Sequence, residues 1–474
     1  MYSILKHILF LFVLFACCCV GYAQIATPTD VSYIIIDSVR IEGNKKTKDV
    51  IILRELDLKI GDTIVVNKLE DRLQRTQNRL FNTSLFLETS STIVGNDSIH
   101  KTVQVIVKER FYTYVVPIIG LADRNFNEWW IQHNHQLNRL ELGFYFVQKN
   151  MRGRNESMKI KAEFGFTKKV ECTYTIPYLT KSRKLGLIYY IGYILNKQVA
   201  YNTLQNKLFY VEESSFLRER LVTGLTFTYR GSFYLEHQLG ATYNNNNVGD
   251  TVIALNPTYF ENGRTKQAYI SLKYSIIRDH RDIRYYSLKG SYLRLDIEQM
   301  GLGINNDISL TSLKGEVSIF QPLKNNFFLA TTLKGKYSTP NNQPYFNQRG
   351  LGYDKDVISG YEQYVIDGQK YILTKINLKY KLLDWNLNLN GFPEKRFSKI
   401  PLKIFLKSYF DMGYVWDNRT IVYALGNAHF ANTYLPGGGV GLDFVTYYDF
   451  VLRVEYSVNR DLQSGLFINF KATI

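Results

Sequence analysis

Beyond its N-terminal segment the sequence has no apolar run approaching the ~20 residues that a membrane-spanning helix needs. A polytopic helical membrane protein is therefore excluded. A membrane β-barrel is not, because its lipid-facing residues alternate with polar ones and the two average out. Cysteine is scarce: of four in 474 residues, Cys17, Cys18 and Cys19 fall in the N-terminal segment. The remaining Cys172 can form neither an internal disulfide nor a CxxC metal site. Acidic residues are outnumbered, 42 against 58 Lys and Arg, for a net charge of +16. No basic helix or zinc-finger spacing accompanies that excess, so nucleic acid is not the expected partner. Catalytic signatures are missing too. There is no G-x-S-x-G elbow. His133 and His135 have no carboxylate at ligand spacing, and no helix follows the glycines Gly437 to Gly441 to make a phosphate loop. Neither enzyme activity, metal nor cofactor is expected.

Hydrophobic residues make up 45% of the chain, which excludes disorder. Aromatic residues are abundant, with 36 Tyr and 29 Phe bringing the share to 15%. That composition suits strands and bilayer interfaces. At the N-terminus, Lys6 precedes the apolar run Ile8 to Val20, and Gly21-Tyr22-Ala23 offers small residues for cleavage. Residues 1–23 read as a signal peptide, and the chain is expected to be exported. Leu14 to Cys17 loosely resembles a lipidation box, but Phe15 is too bulky for it.

Residues 33–109 read as one α+β unit. A strand spans Tyr33 to Glu42 and a short helix Thr47 to about Leu56. Asn67, with Glu70 three residues on, predicts a capped second helix whose inner face is Leu69, Leu73, Thr76 and Leu80. Strands Leu85 to Val94 and Thr102 to Lys108 close the unit. VRIEGNKKT (Val39 to Thr47), LKIGD (Leu58 to Asp62) and LFNTSLF (Leu80 to Phe86) resemble a polypeptide-transport-associated (POTRA) domain. The resemblance implies handling of unfolded chains in the periplasm, by strand addition along a sheet edge.

From residue 111 to 474 alternation dominates. Leu293, Leu295 and Ile297 interleave with Arg294, Asp296 and Glu298. Ile376, Leu378 and Tyr380 interleave with Lys375, Asn377 and Lys379. About sixteen such segments, joined by short turns on one side and long loops on the other, predict an all-β transmembrane barrel of antiparallel strands. The basic residues within the alternation are assigned to a cationic lumen and rim. The final segment, Gln463 to Phe470, resembles the signal read by barrel-assembly machinery.

The POTRA-like unit runs straight into the first barrel strand. Loop 339–368 carries Ile358-Ser359-Gly360-Tyr361, and Phe410-Asp411-Met412-Gly413 lies on a later strand. Together these resemble the BamA/TamA superfamily, in its single-POTRA surface-antigen form. The resemblance implies a bacterial outer-membrane barrel, with its POTRA unit in the periplasm, that inserts or translocates unfolded client polypeptides. It implies no cofactor, and partners that include outer-membrane lipids and periplasmic chaperones or accessory proteins. A lateral seam is implied between the first strand, with Tyr112 and Pro117, and the last, with Gly465, Phe467, Ile468 and Phe470. It also implies a loop that enters the lumen, its tip at Ile358 to Tyr361 set against Asp411 and Gly413. One position departs: Ser359 stands where the family has Arg. A strand cation is then expected at Asp411, from Lys407, Lys379 or Arg349, with Lys379 first, and Arg at 359 is expected to stabilise. The rival reading is a passive channel or structural barrel whose lumen lysines favour anionic solutes.

Overall fold

The computed structural model describes residues 32–472, apart from 96, 98, 122–128, 131–133, 166, 305–307, 354, 389–398, 419–428 and 447–448. The expected signal peptide, 1–23, lies outside the described residues, as does His133.

A small domain comes first: β1 (Tyr33–Glu42), α1 (Asp49–Glu55), β2 (Thr63–Val65), α2 (Leu69–Asn82), β3 (Phe86–Val94) and β4 (His100–Glu109). Its sheet has the order β2-β1-β4-β3. β1 and β4 run parallel, while β1–β2 and β3–β4 are antiparallel. Ile34 and Ile36 on β1 and Val103, Val105 and Val107 on β4 alternate inward, as a half-buried pleat requires. Leu73, Thr76 and Leu80 of α2 are buried against them. Two details differ from expectation. Asn67 sits in a 3₁₀ turn, Val66–Lys68, and the residue ahead of α2 is Lys68, with no side-chain cap. β2 forms after the Gly61-Asp62 break and pairs with β1.

Three residues after β4 the chain begins a 16-stranded sheet. Its strands are β5 (Thr113–Leu121), β6 (Leu140–Met151), β7 (Glu156–Gly165), β8 (Thr167–Ile176) and β9 (Leu185–Asn196). After them come β12 (Arg218–Arg230), β13 (Leu235–Val248), β14 (Lys266–Asp279), β15 (Gly290–Met300), β16 (Leu310–Pro322) and β17 (Phe327–Thr339). The last are β18 (Lys370–Asn388), β19 (Lys399–Trp416), β20 (Leu435–Val445), β21 (Phe450–Asn459) and β22 (Ser464–Ala472). Each pairs antiparallel with its neighbours, as the alternation implied. Between β9 and β12 a separate hairpin, β10 (Gln198–Leu204) with β11 (Lys207–Glu212), stands on the loop end. A helical turn, α3 (Asp250–Leu255), follows β13 there. Neither was anticipated.

The two faces of the sheet obey period two. On β19, Phe405, Lys407, Tyr409 and Asp411 are buried, whereas Leu406 and Phe410 are each 45% exposed. Charged and polar groups thus line the inside and apolar ones face outward, the inverse of a soluble core.

Candidate functional site

The long loop between β17 and β18, residues 340–369, turns back into the lumen. Ile358 and Tyr361, each 1% exposed, pack with Leu351, Ile366, Leu373 and Val415. This apolar cluster anchors the tip and brings Ser359 to Asp411. One oxygen of that buried carboxylate, Oδ2, accepts from the Ser359 amide at 3.0 Å and the Ser359 hydroxyl at 2.7 Å. It also pairs with Lys375 Nζ at 3.0 Å. The expected cation is therefore present, but it is Lys375. The β18–β19 register sets Lys375 opposite Asp411 and Lys379 opposite Lys407. Lys379 instead lies over the Tyr286 ring, 4.1 Å from its centroid. Lys407 pairs with Asp443 and Glu455 at 2.9 and 2.6 Å. Arg349 stacks on Phe346 and Tyr353.

The tip touches the strands nearest the end of the sheet. Tyr361 donates its hydroxyl to the Pro436 carbonyl at 3.1 Å, and its ring meets Phe430 edge-on with centroids 5.1 Å apart. Asn459 Nδ2 donates to Gly360 O at 3.1 Å, and Tyr364 hydroxyl to Gln463 Oε1 at 2.7 Å. Gly360 has φ +85°, and a Cβ there would lie 2.7 Å from the Val458 carbonyl carbon. Gly437 is tight from the other side, since a Cβ on it would overlap the Ser359 carbonyl oxygen. Gly413 leaves room for the Ile358 side chain. Gly437→Ala is thus expected to push the tip off Asp411 while leaving β20 paired. Faster protease cleavage between residues 350 and 368, with unchanged barrel folding, would record this.

A further contact escaped sequence reading. Asn206, in the β10–β11 turn, exchanges backbone and side-chain hydrogen bonds with Val365 at 2.8 and 3.1 Å and accepts from the Phe430 amide at 3.1 Å. Asn is so ordinary in turns that nothing in the pattern marks it.

At the seam, β5 and β22 end the sheet, and no ladder joins them among the described residues. Pro117 pairs with Phe144 in an unbroken β5–β6 register, as an edge-strand proline can. On β22, Leu466 and Ile468 are exposed outward, while Phe467 is buried and folds back over Gly465. Phe470 pairs with Leu452. Tyr112, expected at the seam, lies elsewhere. It precedes β5 and is buried in the core of the small domain, its hydroxyl 3.0 Å from Thr47 Oγ1 and 3.2 Å from the Leu85 carbonyl. Its length and polar tip suit that anchoring role better than an open edge.

The small domain docks on the turns after β6, β8, β12, β14 and β20. Lys48 N donates to Gly153 O at 3.1 Å, and Arg183 to Val50 O at 3.0 Å. Arg230 grips Glu55 with two hydrogen bonds of 2.6 and 2.8 Å. Arg110 grips Asp449 with two of 3.1 Å. The turn 280–289 goes further and enters the lumen. Tyr286 donates to Asp443 Oδ2 at 2.9 Å, and its ring lies 4.9 Å from Phe405. Asn82 of α2 holds the same turn through Asp282 O and Arg284 N, at 2.9 and 3.1 Å.

Glu109, at the end of β4, accepts from the Thr47 hydroxyl and amide at 2.6 and 2.7 Å and from Lys46 N. Burial works to raise its pKa, but these hydrogen bonds outweigh burial and hold it below the usual carboxylate value. A depressed pKa stabilises above the unfolded value, about 4.3, and that contribution is lost as pH falls through the folded one. Glu109→Gln should therefore leave the small domain less stable than wild type at neutral pH, with the deficit shrinking as pH falls through the folded pKa of the wild-type carboxyl, as monitored by circular dichroism.

Among the described residues no group of His, Cys, Asp and Glu is arranged to hold a metal ion.

A profile of the Omp85 superfamily domain matches residues 150–372, and a POTRA profile, described as surface antigen variable number repeat, matches 34–110. The chain thus carries an Omp85 superfamily domain and one POTRA domain. It is accordingly a non-enzymatic outer-membrane barrel with one POTRA domain in the periplasm. BamA from Haemophilus ducreyi lacking POTRA domains 1–3 shares the fold, at 14% identity and TM-score 0.51, over 92% of this chain and 83% of that one. CdiB from Escherichia coli matches at 9% identity and TM-score 0.49, over 95% and 92%. Among curated proteins none matches the chain.

Proposed function

We propose that this Omp85 protein inserts or translocates unfolded client polypeptides, with the edges of β5 and β22 as the place where a client strand pairs. The observation that carries the reading is the end of the ladder. Sixteen strands are hydrogen-bonded in sequence, yet among the described residues none links the first to the last. An edge presents a row of backbone donors and acceptors, which templates a further strand without demanding a side-chain sequence. The loop tip, set against β20, β21 and the residue before β22, holds the lumen side of that seam. The passive-channel reading has less support. The lumen is occupied from one end by loop 340–369 and from the other by turn 280–289. Lys407, which would attract anions, is buried in a pairing with Asp443 and Glu455.

The test is insertion of an unfolded barrel client into liposomes containing the purified protein. One cysteine engineered on β5 and one on β22 should stop insertion when oxidised to a disulfide and restore it on reduction. Insertion unaffected by the oxidised staple would sink lateral pairing. Full, open-pore conductance of the intact protein in a planar bilayer would favour the channel instead.

A further inference from the structure

Between the POTRA helix α2 and the barrel lies a cleft of about 720 Å³. Thr228, Arg230, Ile277 and Tyr292 are among the residues lining it. On β12, Leu225, Phe227 and Tyr229 face outward and are exposed, so Thr228 and Arg230 point inward by alternation. On β14 and β15 the exposed Leu272, Tyr274, Leu293 and Ile297 place Ile277 and Tyr292 inward in the same way. The cleft is therefore a vestibule to the lumen, screened from lipid by the barrel wall. Turn 280–289 stands at its inner side, with Tyr286 only 5% exposed.

Its charges do not cancel. Arg230 is taken up by Glu55, Arg281 and Arg284 by Asp279, and Arg75 and Arg79 by Asp57. Lys184 and Lys289 also line the cleft, both exposed, as do the carboxylates Asp71, Glu236 and Asp282, so the lining holds eight Lys and Arg against five Asp and Glu. Beside them lies an aromatic patch. The Arg79 guanidinium sits 3.9 Å from the Phe233 ring centroid, and His280 stacks on Tyr234 at 4.0 Å. A net excess of cations beside aromatic side chains, in a volume typical of ligand sites, selects carboxylates adjacent to aromatic groups.

We propose that this vestibule docks an extended segment of unfolded polypeptide in which Asp or Glu alternates with aromatic residues, before that segment reaches the lumen or the seam. The assignment rests on the client-handling reading above, and its test separates the two. The full-length protein in detergent is titrated with a fluorescein-labelled peptide of alternating aspartate and tyrosine, and with one of alternating lysine and tyrosine. The acidic peptide is expected to bind at least tenfold more tightly, and the preference to shrink at high salt. Lys184→Glu with Lys289→Glu, both at exposed positions, should weaken the acidic peptide about tenfold. Equal binding of the two peptides, or an unaffected double variant, overturns the docking site. If the wild-type protein inserts a client and this variant does so at the same rate with unchanged peptide affinity, the site is wrong and the insertion reading stands. If the wild-type protein binds the acidic peptide but inserts no client, the site stands and the insertion reading falls.

Discussion

Replacing Asp411 with alanine is expected to free the lumen loop and to cost about 3–5 kcal/mol, the usual penalty for removing one partner of a buried ion pair. The carboxylate is 1% exposed and serves three donors at once, the Ser359 amide, the Ser359 hydroxyl and Lys375. The Ser359 amide and hydroxyl lose their shared acceptor, and Lys375, its side chain 28% exposed, loses its counter-ion. Asp411→Asn, which keeps an acceptor but not the charge, should lose less, since hydrogen bonds to an ionised group are about twice as strong as neutral ones. Thermal unfolding in micelles and protease access to residues 350–368 read both effects. The register of Lys375 also reverses one expectation. An Arg at position 359 would bring a second cation to a carboxylate already paired at 3.0 Å. Ser359→Arg alone is therefore expected to destabilise, and Lys375→Thr to restore what it lost. Additive effects in that double-mutant cycle would show that the two positions do not share Asp411.

The same pair of residues shows how far the sequence could be read. Parity along β19 was legible, because lumen and lipid residues alternate and Leu406 and Phe410 mark the outer face. Cross-strand register was not. It depends on the link between β18 and β19, and a shift of four residues separates Lys375 from Lys379 while leaving both on the same face. Most strands were readable for the reason parity was. Segments such as β15 and β18 are long, two-faced and bounded by loops, and little else in a sequence looks like that. Elements outside the bilayer carry no such constraint. The β10–β11 hairpin and the inward turn 280–289 owe their places to scattered tertiary contacts, such as Asn206 with Val365 and Tyr286 with Asp443, which no periodicity announces. Tyr112 belongs with them. One residue short of β5, it obeys the POTRA core instead of the barrel.

The second large effect is expected where the two domains meet. Arg110 and Asp449 are 4% and 5% exposed, joined by two hydrogen bonds of 3.1 Å, while Arg110 Nε donates to the Phe86 carbonyl at 2.8 Å. Lys108–Glu88, two residues away, has the same charges with side chains 34% and 56% exposed, and losing it should cost under about 1 kcal/mol. Asp449→Ala strands a guanidinium that cannot shed its proton, and about 3–5 kcal/mol is expected. Arg110→Met with Asp449→Leu removes both charges and should cost less than Asp449→Ala alone. The position gives the pair its consequence. Asp449 immediately precedes β21, the strand that carries β22 and with it one edge of the seam. A POTRA domain gripping that turn can bias the strand pair next to the seam, whereas Glu55 with Arg230 anchors the domain on the wall opposite. Spin labels on α2 and β21 should accordingly show a broadened distance distribution in Asp449→Ala and a sharp one in Lys108→Ala. A distribution that stays sharp in both would mean that the remaining contacts of the POTRA domain fix it without this pair, and that the domain and the seam are not coupled through residue 449.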